Sequence, residues 1–343
     1  MRNLVTIQRI TEVKPIPDAD SIELVLIKGW QCVAKKGEFK PGDRCVYFEV
    51  DSYLPIDERY EFLRKSSYRN NEYMGEGFRI KTLRFRGEIS QGLALPVNAF
   101  PEAPPGTADG TDITDLLKVK KWEMPEQVGT AGTAIGDKPF GIPTTDETRI
   151  QAIPEFLENF RGKPYYISTK MDGTSCTVYV KDGKVGVCGR NDEYKEDPET
   201  CSMWAYVYKH GLKNKLLALA EDIALQGEFC GAGIQKNRLR LYEPVLYVFD
   251  VIKIGEGDKL RKCGLAEILS YCEKIGLESV PIEETGDSFN YTLPELIERA
   301  RGKYTSGLDK EGIVVRTQEY GRVGNEKLSF KVLNNDFLAK EKD

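Results

Sequence analysis

Between Pro125 and Pro143 the chain places Pro125, Gly129, Gly132, Gly136, Pro139, Gly141 and Pro143 among few large apolar side chains. A stretch of this composition cannot offer a continuous apolar face to a core and reads as a linker. At 343 residues the chain also exceeds the size at which one hydrophobic core stops growing, roughly 250–300 residues. Two domains are therefore expected, over 1–123 and 147–343, with 124–146 joining them.

The two sides differ in pattern. In the first, Ile22, Leu24 and Leu26 alternate, Lys28-Gly29 turns, and Gln31–Ala34 resumes. Lys40–Asp43 is a turn that feeds Arg44–Val50, Phe78–Phe85 is a further strand, and Ser90–Pro96 closes the set. Short strands with glycine turns and little helix predict a small OB-like β-barrel. In the second, Ile167–Lys170, Cys176–Val180, Val185–Cys188, Leu246–Ile252 and Gly312–Arg316 read as strands. Ile153–Phe160, Leu212–Leu225, Leu265–Ile275 and Leu293–Arg301 read as helices, the last opened by Thr292 with Glu295 in capping-box position. The fold class is α+β, the second domain being built of antiparallel sheets flanked by helices.

Composition narrows the chemistry. The eight cysteines never fall in Cys-x-x-Cys spacing, which argues against a zinc ribbon and fits reduced thiols in an intracellular, reducing compartment. His210 is the only histidine, so histidine metal sites are excluded and a histidine base has one candidate, at a helix end. Catalysis must run on lysine, arginine and carboxylates, the chemistry of phosphates and hard metals. No apolar run reaches the ~18 residues of a membrane helix, and the N-terminus lacks a signal-peptide core, so no membrane partner is expected. A net charge of −5 does not advertise nucleic-acid binding. Even so, Arg64, Lys65, Arg69, Arg79, Lys81, Arg84 and Arg86 cluster with Tyr68, Tyr73, Phe78 and Phe85 between them. The cluster reads either as a solvated face or as a groove tracking a strand of nucleic acid, with Arg79, Lys81, Arg84 and Arg86 the candidate contacts.

Lys170, in Ser168-Thr169-Lys170-Met171-Asp172-Gly173, reads as a nucleophile beside a carboxylate on a tight glycine turn. Thr145–Gln151 precedes it. Gly189-Arg190-Asn191, Gln226–Gly231, Val248–Val251, Glu311–Arg316 and Ser329–Val332 follow in order. Each alone has a bland explanation, such as a surface carboxylate, a core ring or an ordinary ion pair. The order is what carries weight.

With these segments in this order, the chain resembles the covalent lysyl-nucleotidyltransferases, a group of DNA ligases, RNA ligases and capping enzymes. Within that group it looks most like ATP-dependent RNA ligases of the Deinococcus and Naegleria type, which carry an OB domain ahead of the transferase domain. DNA ligases and capping enzymes place one after it, and only twelve residues follow Lys331 here. The resemblance implies that Lys170 attacks the α-phosphate of ATP, with Lys331 and Lys327 near the phosphates. Glu228, Glu311 and Asp172 would hold Mg²⁺ or Mn²⁺, directly or through water. Arg190 would meet the ribose, Phe249 and Val314 would sandwich adenine, and Arg149, Thr169 and Gly173 would complete the nucleotide site. The implied partner is RNA with 3′-OH and 5′-phosphate ends, in a nicked duplex among other forms, and the implied state is a monomer.

Two positions depart from the family pattern. Ser329 stands where a lysine often opens the closing motif, and Gly189 where a serine often precedes the arginine. The rival readings are a DNA ligase or a GTP-using capping enzyme, a catalytically inactive OB-containing nucleic-acid-binding protein, and a Schiff-base lysine enzyme.

Overall fold

The structure is a computed structural model. It describes residues 3–123, 132–319, 322–323 and 326–340, the side chains of 322, 323, 326 and 327 excepted. The chain divides into two compact units, Met1–Pro125 with Gln151–Pro154 and Leu338–Asp343, and Glu126–Ile150 with Glu155–Phe337.

In the first unit the strand Arg44–Phe48 shows how the sequence makes the core. It pairs antiparallel with Val5–Arg9 on one edge and Leu93–Pro96 on the other. Its side chains alternate, sending Val46 and Phe48 into one buried cluster and Cys45 and Tyr47 into another, so both faces are covered. Glu12–Pro15, Ile22–Ile27 and Trp30–Lys35 form a second antiparallel sheet, with Lys28 at φ 53° in the expected turn. Lys120–Lys121, Ser52–Leu54, Gly75–Arg79 and Tyr68–Asn71 form a third, and Leu83–Phe85 pairs with Glu88–Ser90 in a hairpin. The expected strand over Phe78–Phe85 is thus two strands in different sheets. Nor do the described ladders close into a barrel: they remain separate antiparallel sheets, several of their strands only two or three residues long.

The second unit stacks its chemistry between two sheets. The larger, eight-stranded sheet has Thr174–Lys181, Ile223–Cys230 and Val245–Ile254 at its centre, paired antiparallel. Helices Ser202–Lys209, Leu212–Ala218 and Leu265–Ile275 cover it, burying Trp204, Leu212, Leu216 and Ile268 against Val178, Leu225 and Val248. The smaller sheet runs Ile282–Gly286, Tyr165–Lys170, Gly312–Thr317, Ser329–Leu333. Lys170 ends a strand of the small sheet and Thr174 begins one of the large, so the three residues between them turn the chain from one sheet to the other.

Three helices differ from expectation, Leu293–Arg301 only in ending at Arg299. Leu212–Leu225 is helical only to Ala218; Ala220 turns at φ 52° and Ile223 starts a strand registered on Val180. A buried apolar run such as Ile223-Ala224-Leu225 has no period that separates helix from strand. Ile153–Phe160 is a 3₁₀ segment, Pro154–Asn159. Leu265–Ile275 has the expected bounds, and Leu293–Arg299 carries the expected Thr292/Glu295 capping box.

Candidate active site

Register in the small sheet creates the central pair. Lys170 lies opposite Gly312, which brings Glu311, one residue earlier, to the lysine: Lys170 Nζ donates to Glu311 Oε2 at 2.8 Å, with both side chains about one-fifth exposed. Glu228 enters from the large sheet, where it is registered on Ser175. Gly173 is required by close approach: a Cβ there would lie 2.5 Å from the carbonyl oxygen of Phe229. Its N–H also hydrogen-bonds the Glu228 carboxylate. Asp172 pairs with Arg238 at 3.6 Å, and the Arg238 guanidinium lies 3.9 Å from the Phe337 ring centroid.

The charges favour an ammonium at Lys170. Burial pushes it toward the neutral amine, but Glu311, Glu228 and Asp172 together outweigh burial and raise its pKa above the ordinary value. Glu228 is pushed up to about 7, first by burial and then by Glu311 and Asp172, against the pull of Lys170. Lys331 behaves oppositely. Burial, then Lys170 and Arg149, bring it down to about 8. The repulsion between the two lysines is thus felt at Lys331.

Three carboxylates beside Lys170 offer hard oxygen donors, which suit a divalent cation. Among the described residues no three His, Cys, Asp or Glu side chains converge closely enough to hold a metal directly. The set fits a hydrated ion held partly through water, as Mg²⁺ prefers.

An open cleft lies at this cluster. Lys170, Glu228 and Lys331 line it, and Phe249 and Val314 line it too. Phe249 gets there through a β-bulge. Gln226 pairs with Asp250 and Gly227 with Val248, so Phe249 is the extra residue, re-aimed by the irregularity. The segment 145–149 is brought alongside by Lys331, whose N–H donates to the Thr148 carbonyl at 2.9 Å while Arg149 bridges to it in parallel.

Other candidates have partners of their own. Arg190 pairs with Asp146 at 2.7 Å. The Thr169 hydroxyl donates to Glu283 at 2.8 Å although the residue borders the cleft. Lys327 lies in the short strand Glu326–Lys327, and its side chain is outside those described. Arg84 and Arg86 are exposed in the 83–90 hairpin, Arg84 donating to the Gly87 carbonyl, while Arg79 lies 4.8 Å from the Trp122 ring.

Both departures from the pattern have local causes. A Cβ at Gly189 would collide with the Tyr194 hydroxyl, so no serine fits. Ser329 Oγ donates to Glu147 Oε2 at 2.6 Å, and Glu147 Oε1 accepts from the buried Arg316 at 3.1 Å. Sequence reasoning nominated neither Glu147 nor Arg316, although both line the cleft. Their signal was an acid inside Thr145–Gln151 and an arginine ending Glu311–Arg316, which alone suggest only surface charge.

Comparisons agree with this geometry. An OB-fold domain model matches residues 4–97 and an RNA ligase model matches residues 163–333. Among solved structures, a Naegleria gruberi RNA ligase mutant with ATP and Mn aligns at 34% identity and TM-score 0.89, covering 98% of this chain and 99% of that one. Another mutant of that ligase with ATP and Mn reaches 36% identity and TM-score 0.89 over 100% of both chains. The same enzyme with PPi aligns at 36% identity and TM-score 0.87 over 99% of both. No curated protein matches in a sequence search. The chain carries an OB-fold domain ahead of an RNA ligase domain. The chain belongs to the RNA ligase family and is an enzyme.

Proposed function

We infer that the enzyme is an ATP-dependent RNA ligase that joins a 3′-OH to a 5′-phosphate through a lysyl-AMP intermediate on Lys170. The observation that carries this reading is one cleft lined by Lys170, Glu228, Lys331, Phe249 and Val314, with Glu311 hydrogen-bonded to the lysine, in a chain that matches the Naegleria ligase along its whole length.

In the first step the neutral amine of Lys170 attacks the α-phosphorus of ATP; a nitrogen–phosphorus bond forms and pyrophosphate leaves. Lys331, beside Lys170 and Arg149, is placed to meet phosphate oxygens, with Lys327 assigned by resemblance. Phe249 and Val314 would hold adenine between them, Arg190 would meet the ribose, and Arg149, Thr169 and Gly173 would complete the nucleotide site. Glu228, Glu311 and Asp172 would hold the divalent cation, which when bound would neutralise phosphate charge and favour the unprotonated amine. AMP then passes to the RNA 5′-phosphate, and the 3′-hydroxyl attacks that activated phosphate, displacing AMP and closing the phosphodiester. Residues 1–123 are the RNA-holding OB domain in this reading, with Arg79, Lys81, Arg84 and Arg86 on the 3′-OH strand, and 147–343 the adenylyltransferase domain. A nicked duplex as substrate, a monomeric state and a reducing compartment, consistent with eight buried cysteines outside any disulfide, belong to the same proposal.

The test is sealing of a nicked RNA duplex carrying labelled 5′-phosphate, with ATP or GTP. ATP-dependent closure supports the reading. Use of GTP alone, or closure of DNA nicks with none of RNA, would replace it with a capping enzyme or a DNA ligase. Alanine at Arg79, Lys81, Arg84 and Arg86 together should slow sealing more than lysine adenylylation; equal losses would remove the strand-holding role.

A further inference from the structure

Two side chains outside the reacting set tie the backbone of Lys170 to that of Glu311. The Tyr304 hydroxyl donates to the Lys170 carbonyl oxygen at 2.7 Å and accepts the Glu311 N–H at 3.0 Å. One phenolic oxygen thus spans the last residue of the nucleophile strand and the residue just before Gly312–Thr317. Tyr304 is itself fixed. Its ring is buried with Met171, Cys230 and Val280, and its N–H donates to the Leu308 carbonyl at 2.8 Å.

One residue earlier on each strand, Glu283 makes a second tie. Its Oε1 accepts from the Thr169 hydroxyl at 2.8 Å and from the Lys310 ammonium at 2.6 Å, while Oε2 accepts from Arg299 at 2.7 Å. Lys310 and Glu283 are 6% and 15% exposed, so this pair is screened little by solvent. Glu283 reaches both neighbours because it is the extra residue of a bulge: Ile167 pairs with Glu284 and Ser168 with Ile282.

We propose that Tyr304 and Glu283 are positioning residues that hold Lys170 and Glu311 in register for lysine adenylylation. The inference rests on the lysyl-AMP reading above. Neither residue lines the nucleotide cleft, so neither is expected to bind ATP. Their contribution is to the geometry of attack, where a displacement near 1 Å costs on the order of a hundredfold in rate. Closing of a pre-adenylylated RNA end does not use the Lys170 amine, so that step should be spared.

The test compares wild type, Tyr304→Phe and Glu283→Asp. The first variant removes one hydroxyl and keeps the ring. The second keeps the charge that Lys310 and Arg299 need and withdraws it by a methylene. Each should lower single-turnover lysyl-AMP formation about tenfold or more at saturating ATP. The ATP concentration for half-maximal rate and the sealing of pre-adenylylated nicked RNA should stay within about twofold. Wild-type rates of adenylylation in both variants would overturn the proposal. So would parallel losses in adenylylation and pre-adenylylated sealing, which report a general structural defect. A wild-type protein that forms no lysyl-AMP would remove the underlying reading, and the inference with it.

Discussion

Glu311 Oε2 accepts a hydrogen bond from Lys170 Nζ at 2.8 Å, a contact that favours the ammonium form of the lysine proposed as the nucleophile. Attack requires loss of that proton. Since Glu311, Glu228 and Asp172 raise the pH at which the amine becomes neutral, a divalent cation among them should lower it again. The rising limb of the pH–rate profile for lysyl-AMP formation should therefore move to lower pH as Mn²⁺ or Mg²⁺ increases, and chelation should stop the reaction. A limb that stays fixed across metal concentrations would contradict this.

Lys331 carries the opposite shift, from 10.5 down to about 8, caused by burial, then Lys170 and Arg149. Its charged form is disfavoured in the folded state, a cost present below about pH 8 that disappears as pH rises toward the ordinary lysine value. Bound polyphosphate should draw the proton back. Pyrophosphate binding at pH 8 should take up about half a proton per site from this residue and much less at pH 6.5. Calorimetry in buffers of different ionisation enthalpy would measure it. Lys331→Met should abolish the uptake, and uptake unchanged in that variant would refute the assignment.

Glu147 is the counter-charge of Arg316, the two side chains being 12% and 7% exposed. Glu147→Gln should cost about 3–5 kcal/mol of folding stability, because it leaves a buried guanidinium poorly compensated. Urea unfolding would read the change directly. A loss below about 1 kcal/mol would mean that solvent or another group carries the charge.

Phe249 has no role in the reacting charges, so its substitution should separate binding from chemistry. Phe249→Ala should weaken ATP binding by about 1–3 kcal/mol, roughly fivefold to 150-fold, by loss of base stacking. The rate at saturating ATP should fall much less. An unchanged ATP requirement would place adenine elsewhere.

The parts of this fold that sequence reveals are those whose signals are local. The Thr292–Glu295 capping box, the Lys28-Gly29 turn and the alternation of Ile22, Leu24 and Leu26 each state their geometry within a few residues. The order of segments around Lys170 likewise identified Glu228, Glu311, Phe249 and Lys331, and the cleft gathers Glu228, Phe249 and Lys331 around the lysine that pairs with Glu311. What escaped is set by register. An extra residue in a ladder has no signature in composition, yet two such bulges aim Phe249 into the cleft and Glu283 onto Thr169 and Lys310. Tyr304 lies 134 residues from the Lys170 carbonyl it meets. Ser329 looked like a lost lysine, and its contact with Glu147, 182 positions away in sequence, became visible only in the fold.

The central claim is that Lys170 becomes covalently adenylylated, and the most direct measurement is incubation with ATP labelled at the α-phosphate plus Mg²⁺ or Mn²⁺. Pyrophosphate treatment should come first, to discharge any AMP already on the enzyme. The account predicts label that stays on the denatured wild-type protein and is absent from Lys170→Met. No covalent label with either metal, or equal labelling of the Lys170→Met variant, would contradict it.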